Sequence, residues 1–120
     1  MSISNYAEDK LLDAISGTAF SVAAAYLQLH TGDPGEDCTA NAAGETTRKA
    51  VSFGAASGGS MASSGTVEWT NVSTSETYSH WSMWDALSAG NALWSGALAS
   101  SAAVTAGDTF QITSLTLTLD

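Results

Sequence analysis

Basic residues are almost missing from this chain. Lys10, Arg48 and Lys49 are its only cations against twelve acids, giving a formal net charge of −9, and no Lys or Arg occurs from residue 50 onward. A protein that grips nucleic acid uses such residues to displace counterions from phosphates, so direct binding to DNA or RNA is not expected. The same shortage argues against docking on an anionic membrane surface. An acidic balance keeps a protein soluble and off nucleic acid. Cysteine is equally scarce. Cys38 stands alone, so no intrachain disulfide can form, and Glu36 and Asp37 beside it should push its thiol pKa up, away from the reactive thiolate. The apolar stretch 19–27 is Ala-rich and too short to span a bilayer. The start MSISNYAEDK has no basic region followed by an apolar run, so no secretory signal is expected.

Catalytic motifs are missing as well. His30, His80, Asp85 and many serines exist, but there is no GxSxG elbow and nothing in the sequence places a Ser beside either His. His30, Asp33, Glu36 and Asp37 could gather around a metal. However, HExxH, paired Cys motifs and the DxDxDG loop are all absent, and acidic turn residues usually cap backbone N–H groups. GAASGGS at 54–60 lacks the GK[ST] ending of a phosphate-binding loop and reads as a flexible loop. Trp69, Trp81, Trp84 and Trp94 could stack on sugars, but a small core or a subunit interface accounts for them more simply. No enzyme, cofactor or metal is expected.

What is present is a packable chain of 120 residues, 44 % apolar, long enough for one β-sandwich domain (1–120) without disulfide staples. Residues 5–16 read as the one helix, with Asn5 as N-cap, Glu8 three residues on, and Gly17 as the stop. Ala7, Leu11 and Ile15 form its apolar stripe, so this N-terminal helix or arm (1–17) needs a partner surface. After Thr18 the period falls to two. Strands are expected over 26–30, 48–53, 66–70, 78–85, 92–98, 108–113 and 115–119. On the fourth, Tyr78, His80, Ser82 and Trp84 share one face and Trp81 and Met83 the other. Gly- and Ser-rich breaks separate the strands. The fold expected is mainly β, an antiparallel sandwich of jelly-roll or immunoglobulin-like type with one N-terminal α-helix. The most distinctive segment is YLQLHTGDPG at 26–35, a strand ending in a turn where Pro34 presets φ and Gly35 supplies φ > 0. It opens a long acidic loop, 31–47, of the kind that is usually functional or mobile.

Several segments in order resemble a family of small tailed-bacteriophage virion proteins. They are NYAE near the start, YLQLHTGDPG, RKAVSFGAAS at 48–57, HWSMWDA at 80–86, GNALWSGAL at 90–98, VTAGDT at 104–109 and LTLTLD at 115–120. Members of that family are labelled tail-fibre-like, or capsid decoration or minor capsid proteins. The resemblance implies a structural protein without catalytic residues. The chain has no heptads, repeats or GXY stretch, so it cannot form a fibre shaft. A capsid decoration protein is the leading expectation: a homotrimer on the capsid exterior, assembled in the host cytoplasm, that bridges capsomers of the major capsid protein. The alternative is a small tail fibre or baseplate component with affinity for host-surface carbohydrate. Candidate interface residues are Tyr6, Leu11, Ile15, Trp81, Trp84 and Trp94.

Overall fold

The computed structural model describes residues 2–119. Strands β1 (Ser2–Ile3), β2 (Ala25–His30), β3 (Lys49–Val51), β6 (Glu76–Trp84) and β7 (Ala92–Val104) form an antiparallel sheet in the order β1-β7-β6-β2-β3. Two antiparallel ribbons complete the β-structure. One pairs β4 (Ser60–Ala62) with β9 (Thr116–Thr118), and the other pairs β5 (Val67–Trp69) with β8 (Phe110–Ile112). The one helix, α1 (Asn5–Ile15), lies near the N-terminus, and the protein is mainly β as the alternation indicated.

Alternation decides which face is buried. Leu27 and Leu29 of β2 stand opposite Met83 and Trp81 of β6, so one face of the sheet is apolar. Against it pack Trp69 and Ile112 from one ribbon and Leu117 from the other, in a single core cluster. Trp69 and Tyr78 both touch Phe110, with ring centroids 5.9 and 5.1 Å apart. The Trp69 indole N–H is satisfied by the carbonyl of Thr47 at 2.8 Å. Each fully buried large side chain contributes about 1.5–3 kcal/mol by leaving water.

Three local readings change. The N-cap is Ser4, not Asn5. The Ser4 hydroxyl accepts the Ala7 N–H at 3.1 Å and donates to the Ala92 carbonyl at 2.5 Å, so the first turn of α1 is stitched to β7 as well as capped. Residues 54–65 are not simply loop, because Ser60–Ala62 pairs with Thr116–Thr118. Strand β7 also runs six residues past 98. Its far half pairs Ala102 to Val104 with Tyr78 to Glu76 across a bulge in which Ser79 alone faces Leu98 to Ser101. That bulge breaks the expected alternation on β6. Tyr78 enters the core, whereas His80, Ser82 and Trp84 stay on the opposite face from Trp81 and Met83. Gly17, at φ +100, ends the helix as the sequence indicated.

Candidate interaction surface

The loop 31–47 folds over the polar face of the sheet. Its turn forms as its residues demand: Asp33 Oδ1 accepts the Gly35 N–H at 3.0 Å, and Gly35 takes φ +78. The loop acids do not converge on one point. Asp37 bonds Thr39, Glu36 accepts the Ser2 hydroxyl, and Asp33 caps its own turn. Among the described residues no group of three or more His, Cys, Asp or Glu side chains could hold a metal ion. The end of the loop is clamped by two carboxylates. Glu76 accepts the N–H groups of Gly44 and Glu45 at 2.9 and 3.0 Å. Buried Glu45 accepts those of Ser73 and Thr47 at 3.0 and 3.3 Å. Burial, with these two carboxylates nearby, raises the Tyr78 phenol to about 12. Replacing Glu76 with Ala strips a charged acceptor from two amides and should cost about 2 kcal/mol. Amide exchange at Gly44 and Glu45 should rise in step, and unchanged protection there would overturn the clamp.

Beneath this loop, the register of β2 on β6 places a Ser beside a His that the sequence left apart. Fully buried His30 contacts Ser82 Oγ through Nε2 at 2.7 Å and the Ala40 carbonyl through Nδ1 at 2.9 Å. The Ala40 carbonyl can only accept, so Nδ1 carries the proton and Nε2 accepts from Ser82. Ser82 in turn accepts the Trp84 indole N–H at 2.8 Å. This is not a catalytic pair. Among the described residues no carboxylate orients the imidazole, and both groups are sealed from solvent. Burial lowers the His30 pKa, with His80 adding to the effect, while the carbonyl contacts at Ala40 and Asn41 oppose it. Cys38 is equally inert. Burial first, then Asp37, Glu36 and Asp33, raises its thiol to about 11, in the direction the neighbouring acids indicated.

The six candidate interface residues do not form one patch. Trp81 is core, 2 % exposed, with its indole against Gly96: a Cβ there would lie 2.7 Å from Trp81 Cζ2. Trp84 is half-buried on the polar face under Arg48, whose guanidinium carbon stands 4.1 Å from the ring centroid. Arg48 is also tied to Gln28, Ala86 and Ala89 at 2.7–3.0 Å. Tyr6 packs edge-on against Phe20 at 6.4 Å, with Lys10 Nζ 5.7 Å from its ring.

Leu11 and Trp94, by contrast, line the same apolar groove of about 260 Å³ between α1 and the β4–β9 ribbon. Met61, Leu117 and Leu119 form its other wall. It shares Val22, Met61, Met83 and Leu93 with a second groove of about 430 Å³, so the two lie side by side. Ile15, 85 % exposed, and Leu12, 65 % exposed, stand beyond the groove on the last turns of α1. The helix thus runs off the body of the fold. Its stripe passes from buried Ala7 through half-buried Leu11 to bare Ile15. Sequence reasoning found the stripe but missed the opposite wall, because Met61 lies in a segment without periodicity.

A family model described as podophage GP4 fiber I protein gp80 matches residues 2–120. The chain belongs to that family. It is therefore a structural protein of a phage virion, in line with the resemblance carried by its motifs. None of the curated proteins matches it. In this gp80-family chain the buried polar network ties the loop to the sheet, whereas the apolar groove is left exposed beside α1.

Proposed function

We propose that this chain is a subunit of a podophage tail-fibre complex and acts through protein–protein contact. The observation that carries the reading is the fibre-protein family match along residues 2–120. The shape supports it: extents of 47 × 25 × 23 Å suit a short module within a fibre complex better than a shaft. The absence of heptads and repeats favours a second reading, a capsid decoration protein, in which homotrimers would bridge the major capsid protein on the capsid exterior. Quantitative mass spectrometry of purified virions separates the two. A tail component is expected at a copy number on the order of ten, following tail symmetry. Hundreds of copies, with a bald and fragile head when the gene is deleted, overturn the fibre reading.

A further inference from the structure

We propose that the groove beside α1 seats an apolar segment of another protein, and that this segment carries Lys or Arg at its flanks. Three observations lead there. The groove and the one beside it are lined without any charged residue. The apolar stripe of α1 runs out into solvent, leaving Leu12 and Ile15 bare C-terminal to Leu11 of the groove wall, while Val22 and Leu119, which line the groove, are 38 % and 50 % exposed. An exposed apolar patch of this kind, rimmed by polar residues, marks a contact site. The rim then selects the partner by charge. Glu8 shares the α1 face with Leu12 and Ile15, and Asp9 and Asp13 flank it, all exposed. Of the chain's three cations, Lys10 leans on Tyr6, Arg48 is held at Trp84 and the carbonyls of Ala86 and Ala89, and Lys49 lies half-buried on β3. A second copy would bring a further net charge of −9 against this rim, with Lys10 the one cation on α1 against three carboxylates. A segment with Leu-type anchors spaced to fill the groove and basic residues beside them meets both demands, in the manner of helix-in-groove recognition.

The test uses the full chain and three synthetic helical peptides of equal length. One has Leu on one face and Lys on the other, the second has Glu in place of Lys, and the third has Ser in place of Leu. The Leu–Lys peptide should bind, and the indole N–H signal of Trp94, assigned with Trp94→Phe, should move on titration. The other two peptides should bind at least about 100-fold more weakly. Leu12→Ser/Ile15→Ser should weaken Leu–Lys binding at least about tenfold. Because both side chains are exposed, the melting temperature should not change. Neutralising the rim with Glu8→Gln, Asp9→Asn and Asp13→Asn should weaken binding and flatten its salt dependence. Equal binding of the Leu–Lys and Ser–Lys peptides overturns the proposal, as does binding untouched by Leu12→Ser/Ile15→Ser. Self-association of the chain that this double substitution abolishes also overturns it, since a second copy would then own the face. These measurements are made on the isolated chain, so their outcome is separate from whether the protein sits on tail or head.

Discussion

Trp81→Ala should destabilise the fold by about 3–5 kcal/mol, a large share of what holds a domain of this size together. Trp81 sits in the middle of β6, paired with Leu29 on one side and Gly96 on the other. Its ring fills the space that the missing Gly96 side chain leaves open. Removing it opens a cavity that the sheet cannot close, because β2, β6 and β7 are fixed in register on both sides. Chemical denaturation should show the midpoint falling with little change in slope. A midpoint within experimental error of the parent would mean that Trp81 is not the keystone of this layer.

His30→Ala is the second large loss expected, about 2–4 kcal/mol. The substitution leaves the Ser82 O–H without an acceptor and the Ala40 carbonyl without the imidazole N–H under the loop, and it creates a void where the ring was. The same residue gives the parent a pH dependence. Its folded pKa lies below the ordinary value of 6.5, so the unfolded chain takes up the proton first. The His30 contribution is therefore fully present above about pH 6.5 and is lost as pH falls through the lowered folded value. Denaturation at pH 7.5 and at 5.5 should show the parent losing stability on acidification. His30→Ala should lose less over the same interval. An identical loss in both proteins would place the acid sensitivity elsewhere.

The parts of this fold that were legible from residue order are those whose chemistry is local. Leu115 and Leu117 alternate with threonines and are buried as that pattern requires. Leu27 and Leu29 do the same, Gly17 ends the helix, and Asp33–Pro34–Gly35 makes its own turn. What escaped depends on distant partners. Ser60–Ala62 is a strand only because Thr116–Thr118 lies beside it. The tail of β7, ASSAAV, has no period and too little side chain to signal a strand. Ser4 and Asn5 are comparable caps by residue type, and the choice falls to Ser4 because the Ala92 carbonyl is within its reach. The candidate surface shows the same division. The α1 stripe, and with it Leu11, was readable. Trp94 could be read as core or interface, and it proves to be a groove wall. The Ser82–His30 contact spans 52 residues and exists only through the register of β2 on β6.

The bulge on β7 has a consequence for how the protein behaves when it is abundant. Among the described residues, no strand lies along the outer side of β7 beyond Trp94 and Ser95, which pair with β1. The stretch is uncharged and free of proline, the profile of an edge that invites edge-to-edge aggregation. At Leu98–Ser101 the extra residues interrupt its hydrogen-bonding rhythm, so it cannot serve as a straight template for another chain. The chain thus carries its guard against premature fibrillation in backbone geometry rather than in charge.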